Sequence, residues 1–144
     1  RLAAHRVGYA IANRELIRVL EKVRLPYNLP SFSQIAAQVA LEQRALLLPL
    51  VSETIKEKER VYSILQSNDK LQVWQSQANF IYLRFPHLPT AQMEQVMAGA
   101  IADLKTQGTL IRHTGGGLRI TIGTPQENDR TLTRLFNLSA IANI

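Results

Sequence analysis

Residues Gly108 to Thr124 read GTLIRHTGGGLRITIGT, two short runs of alternating character on either side of three glycines. In Leu118-Arg119-Ile120-Thr121-Ile122 apolar and polar residues alternate with period two, the pattern of a half-buried strand, so Arg119 faces away from the core that Leu118, Ile120 and Ile122 enter. Thr109 to His113 is the expected partner strand. Gly115, Gly116 and Gly117 supply the positive-φ positions that a tight hairpin needs. A turn centred on Gly115-Gly116 pairs Thr114 with Gly117, His113 with Leu118 and Arg112 with Arg119. Residues directly opposite share a face, and like charges there cost up to about 1 kcal/mol. An anion accepting hydrogen bonds from both guanidiniums removes that penalty. Two exposed arginines on a surface hairpin are the plainer alternative on this pattern alone.

Outside the hairpin, 144 residues with 46% hydrophobic content are enough for one ordinary core, and the mean hydropathy of −0.07 is that of a soluble globular chain. The longest apolar run, Ala45 to Val51, contains Pro49 and falls far short of the roughly 20 residues that span a bilayer. With no secretory signal, a cytoplasmic address is the default expectation. Cysteine is absent, so thiolate metal sites, disulfides and a cysteine nucleophile are excluded, and His5, His87 and His113 lack metal-ligand spacing. Seventeen Lys and Arg against eleven Asp and Glu give a net charge of +6, which suits an anionic partner. No basic block is present. Where charge is densest, Lys56-Glu57-Lys58-Glu59-Arg60, the signs alternate as on a solvated helix face, which argues against nucleic acid and membrane. The chain opens on Arg1 and runs straight into apolar sequence, as a fragment of a longer polypeptide would.

Taken in order, Arg6 to Ala12 (RVGYAIA) reads as a buried strand, and Asn13 caps a helix with Leu16, Ile17, Leu20 and Val23 on one stripe. Pro26 and Pro30 bracket a stiff connector around Tyr27 and Asn28, so residues 1–30 are expected to end one domain and 31–144 to form another. Ser31-x-x-Gln34 reads as a capping box opening a second helix that Pro49 kinks or ends. Helical spacing resumes from Val51 to about Gln66, with a turn at Asn68-Asp69. Strand candidates follow at Val73 to Trp74 and Ala78 to Phe85. A long helix from Thr90 carries Met93, Val96, Met97, Ala100 and Leu104 and stops at Gly108. Thr124-Pro125-Gln126-Glu127 combines a cap, a proline at the first helical position and a capping-box glutamate. The fold class is therefore α+β, an antiparallel sheet with helices on one face.

Catalytic constellations are scarce. Ser67-x-x-Lys70 matches a serine–lysine pattern but lies in a polar turn without companion motifs. Several segments together, LAAHRVGYAIA, VRLPYNLPSFSQ, QANFIYLRF and GTLIRHTGGGLRITIGTPQEND, resemble in content and order the C-terminal part of a fold type I pyridoxal-phosphate aminotransferase, within that class the histidinol-phosphate aminotransferase family. The resemblance implies the small C-terminal domain together with the last strand and helix of the large α/β domain. It implies pyridoxal phosphate as cofactor, and histidinol phosphate with glutamate or 2-oxoglutarate as substrates. A homodimer is implied for the full-length protein.

Residue by residue, the resemblance implies that Arg6 binds the cofactor phosphate and Arg119 the substrate α-carboxylate. Arg112 would hold the phosphate of histidinol phosphate, and Asn79 would lie close to the carboxylate. Tyr27 and Asn28 would belong to the hinge between domains. The family's cofactor-bearing lysine sits in a serine–lysine segment just ahead of the stretch that opens this chain. None of Lys22, Lys56, Lys58, Lys70 or Lys105 has that context, so no catalytic residue is expected here and residues 1–144 alone should be inactive. An aromatic aminotransferase, a threonine-phosphate decarboxylase and a basic nucleic-acid-binding module are the rival readings. With 6% aromatic residues and no stacking cluster interleaved with basic residues, the last has little support.

Overall fold

The computed structural model describes residues 2–138, which divide into two compact units, one ending at Pro49 and the other beginning at Leu50. In the first unit a 3₁₀ turn, Leu2–His5, precedes helices α1 (Arg14–Val23) and α2 (Ser31–Glu42). Asn13 caps α1 as its sequence indicates, its side chain accepting from the Glu15 N–H at 2.8 Å. The ring of His5 lies 5.5 Å from that of Phe32.

Two expectations fail in this unit. Arg6 to Ala12 is not a strand. Arg6 has φ of 54° and the residues after it make no ladder. A strand exists only as one side of a pairing, and no described residue of this unit offers the other side. The Ser31 capping box is also absent, because the helix starts at Ser31 itself with Pro30 in the cap position. Gln34 bonds the Leu29 carbonyl at 3.1 Å instead of reaching back to the cap. The helix break falls at Gln43, ahead of Pro49. That proline lies inside α3 (Arg44–Gln66), where the ring forgoes one backbone bond, to the Ala45 carbonyl.

In the second unit, strands β1 (Gln72–Trp74), β2 (Phe80–Arg84), β3 (Arg112–Thr114) and β4 (Gly117–Thr121) form one antiparallel sheet in the order β1-β2-β4-β3. Helices α4 (Thr90–Thr106) and α5 (Pro125–Phe136) complete it. The period-two alternation gives the sheet two unlike faces. Ile81 and Leu83 of β2 and Leu118 and Ile120 of β4 are buried beneath Val61 and Leu65 of α3, Met97 and Leu104 of α4, and Leu132 and Leu135 of α5. Residues of the other parity stand on a face that no helix of this core covers.

The β3–β4 hairpin has the expected register: Arg112 opposite Arg119, His113 opposite Leu118 and Thr114 opposite Gly117. Its two-residue turn has φ of 56° at Gly115 and 75° at Gly116, the left-handed pair of a type I′ turn. Thr109 to Ile111, expected in the strand, precede it. Gly108, with φ of 78°, ends α4. Thr124 accepts from the Glu127 N–H at 3.4 Å while Glu127 takes the Thr124 N–H at 2.7 Å, the reciprocal box expected at the start of α5.

A polar network ties α3 to the start of α5. Asn128, 3% exposed, donates to Glu57 Oε1 at 3.0 Å and exchanges hydrogen bonds with the backbone of Gly123. Arg60 grips the same carboxylate through Nε at 3.0 Å and Nη2 at 2.6 Å, and also reaches Asp129. The Arg60 hydrogen bonds, helped by Asn128 and opposed by desolvation, hold Glu57 below the ordinary glutamate value. A carboxyl depressed in the folded state stabilises above its unfolded pKa, and that contribution disappears as pH falls through the folded one. Glu57→Gln is therefore expected to lower the urea midpoint at neutral pH and to flatten its decline on acidification between about pH 6 and 3. Parallel wild-type and variant curves over that range would contradict the assignment.

Candidate substrate-binding face

The antiparallel registers bring Trp74, Tyr82, Arg119 and Arg112 into one row across all four strands, each residue opposite the next. Phe80 and Arg84 flank Tyr82 on the same face of β2, because residues two apart along a strand share a side. The planar guanidinium of Arg119 lies over the Phe80 ring at 4.8 Å from its centroid, a contact that orients the fork. The Nε of Arg119 is buried with no hydrogen-bond partner. An unpaired buried donor on a charged group is uncommon, and no described residue accepts from it. His113 Nε2 shares that condition, but His113 belongs to the opposite parity, on the side of the sheet where α4 meets β3.

No ion pair among the described residues includes Arg84, Arg112 or Arg119. Arg112 is exposed at the start of the edge strand. Arg84 is engaged by Tyr82 and the hairpin turn, which leaves Arg112 and Arg119 on this face with no carboxylate paired to them among the described residues, an arrangement that favours an anion.

Of the residues singled out in the sequence, Arg112 and Arg119 meet as expected. Asn79 is exposed just ahead of β2, its carbonyl accepting from the Ile122 N–H at 2.9 Å. Continuing the register gives Asn79 the parity of Ile81 rather than that of Arg119. Arg6 belongs to the first unit, exposed at a positive-φ position. Sequence reading missed Phe80, Tyr82, Arg84 and Trp74. The signal was present in Phe80-Ile81-Tyr82-Leu83-Arg84, where the alternation sets the two aromatics and the arginine on one side.

Residues 1–135 match the family described as aminotransferase class I and II, and the chain belongs to that family. Within it, the histidinol-phosphate aminotransferase of Trichodesmium erythraeum is 51% identical over 140 residues, which cover 94% of this chain and 37% of the relative. The enzyme of the same name from Synechococcus elongatus is 53% identical over 135 residues, covering 94% and 35%. The chain therefore spans a little over a third of the length of these relatives. Among solved structures, the Sinorhizobium meliloti histidinol-phosphate aminotransferase in complex with pyridoxal 5'-phosphate superposes with a TM-score of 0.76 at 20% identity, covering 99% of this chain and 38% of that one. The Clostridium acetobutylicum enzyme gives 0.68 at 18% identity, covering 92% and 39%. These likenesses carry the fold: the small antiparallel sheet and its helices are those of an aminotransferase.

Proposed function

We propose that this chain is the substrate-anchoring portion of a pyridoxal-phosphate-dependent histidinol-phosphate aminotransferase, which exchanges an amino group between histidinol phosphate and 2-oxoglutarate. The observation that carries the reading is the outward-facing Arg112–Arg119 pair, with Arg119 held on Phe80 and its Nε buried and unpartnered. A carboxylate takes one fork of two N–H donors. A phosphate dianion has the charge and the oxygens for two. One face can therefore receive both co-substrates, Arg119 reading the α-carboxylate of glutamate and Arg119 with Arg112 reading the phosphate of histidinol phosphate.

The residues present also fit the cofactor's phosphate. Arg6 is exposed and makes no hydrogen bond or ion pair with any described residue, which leaves its guanidinium available. Pyridoxal phosphate, when bound, supplies the electron sink for amino-group transfer. What this chain contributes is binding and orientation. Lys58, buried in the second unit, is engaged in the fold, donating to the Ser76 carbonyl at 2.6 Å. A cytoplasmic homodimer completes the reading, supported by the family resemblance and by apolar side chains left exposed at Leu16, Val23, Leu46 and Leu48.

The full-length polypeptide carrying this chain, supplied with pyridoxal phosphate, is expected to form glutamate from histidinol phosphate and 2-oxoglutarate. Residues 1–144 alone are expected to show no turnover and to retain no cofactor after borohydride reduction. A lysine of residues 1–144 found labelled by peptide mass mapping would overturn the division of labour. Turnover of aromatic amino acids, with none of histidinol phosphate, would overturn the substrate.

A further inference from the structure

Arg84 is the guanidinium on the open face that no motif accounts for, and its hydrogen bonds differ in kind from those of Arg112 and Arg119. Its Nε donates to the Tyr82 hydroxyl at 2.9 Å, and its Nη2 donates to the Gly115 carbonyl in the hairpin turn. The Tyr82 hydroxyl lies 2.8 Å from that same Gly115 carbonyl and 3.2 Å from the carbonyl of Thr114. The guanidinium, the hydroxyl and the Gly115 carbonyl thus close a triangle of hydrogen bonds. The guanidinium also lies 5.7 Å from the centroid of the Tyr82 ring and 5.8 Å from that of Trp74, which limits its freedom to swing away.

The side chain of Tyr82 reaches the turn by crossing over Gly117. A Cβ at Gly117 would stand 2.6 Å from the Tyr82 hydroxyl and would collide with the Leu83 carbonyl. The missing side chain at Gly117 is therefore the opening through which β2 holds the turn. That hold has a particular consequence for Arg112. β3 is three residues long and, among the described strands, pairs with β4 alone, so Arg112 rides on a short edge strand whose other end is the clamped turn.

We propose that Tyr82 and Arg84 are positioning residues that fasten the Gly115 turn to β2 and so hold Arg112 at the spacing from Arg119 that a phosphorylated substrate requires. The statement rests on the reading of this face as a substrate phosphate and carboxylate site, and its test is arranged so that the two fail separately. In the full-length, cofactor-loaded protein, Tyr82→Phe removes the hydroxyl at nearly constant volume, and Arg84→Lys keeps the charge but loses the fork.

Both variants are expected to speed hydrogen–deuterium exchange at the amides of residues 114–117 without substrate present. They are also expected to raise KM for histidinol phosphate about tenfold at nearly unchanged kcat, with the KM for glutamate changed less than about threefold. Unchanged exchange in both variants would overturn the clamp. Faster exchange with equal KM changes for both substrates would reduce the pair to a stabilising role and overturn the positioning. A wild-type protein inactive towards histidinol phosphate would remove the functional reading, and the exchange measurement would still decide the clamp.

Discussion

Arg119→Ala is expected to lower kcat/KM for glutamate by about 10²- to 10⁴-fold, the loss of two charge-assisted hydrogen bonds at roughly 1.5–3 kcal/mol each. The size follows from how little else can take the carboxylate. The Arg119 guanidinium is stacked on Phe80 with a buried, unpartnered Nε, so its orientation is set before substrate arrives and little ordering cost falls on the binding step. Arg119→Lys retains the charge without the planar fork or the stacking contact, and about 10- to 150-fold of the loss should remain. Histidinol phosphate is expected to suffer less from either change, because a second guanidinium stays opposite. A loss below about threefold for Arg119→Ala in the glutamate half-reaction would place the carboxylate elsewhere.

Arg112→Ala should show the complementary pattern. Arg112 stands directly across the ladder from Arg119 and enters no ion pair among the described residues. Its removal takes one guanidinium from the phosphate and none from the carboxylate. The expected cost is about 1.5–3 kcal/mol, or roughly 10- to 150-fold in kcat/KM for histidinol phosphate, with glutamate nearly unaffected. Stability should not fall, and a small gain is expected, because the variant also relieves the like-charge pair on adjacent strands. Raising the salt concentration should weaken histidinol phosphate binding in the wild type more steeply than in the variant, since the variant brings one fewer charge to a dianion.

The hairpin that carries both arginines was legible in the sequence because everything that determines it is local. Alternation in Leu118 to Ile122 set the faces, and glycines at 115 and 116 set the turn; together these fix the register without reference to the rest of the chain. The box at Thr124 and Glu127 was legible for the same reason. Arg6 to Ala12 failed because a strand is a relation between segments, and β-like composition cannot show whether a partner is at hand. At Ser31 a local rule failed against a stronger local one, as Pro30 already occupies the cap position and its ring fixes φ near −60°.

The clamp formed by Tyr82 and Arg84 was hidden for a third reason. It depends on the pairing of β2 with β4, segments separated in the chain by α4 and β3, and on the space left by Gly117. Each of those residues has an ordinary explanation when read alone. Only the register puts the hydroxyl, the guanidinium and the Gly115 carbonyl together.

The central claim is that one sheet face reads two different anions with two arginines of unequal duty. Single-turnover stopped flow tests it most directly, following the glutamate and histidinol phosphate half-reactions separately in the full-length protein with Arg119→Lys and with Arg112→Ala. The account predicts that the ratio of the two half-reaction rate constants shifts in opposite directions: Arg119→Lys penalises glutamate more, and Arg112→Ala penalises histidinol phosphate more, each by about tenfold or greater. Equal losses in both half-reactions for Arg112→Ala would contradict it, because an arginine that supports only the fold or the cofactor cannot distinguish the two substrates.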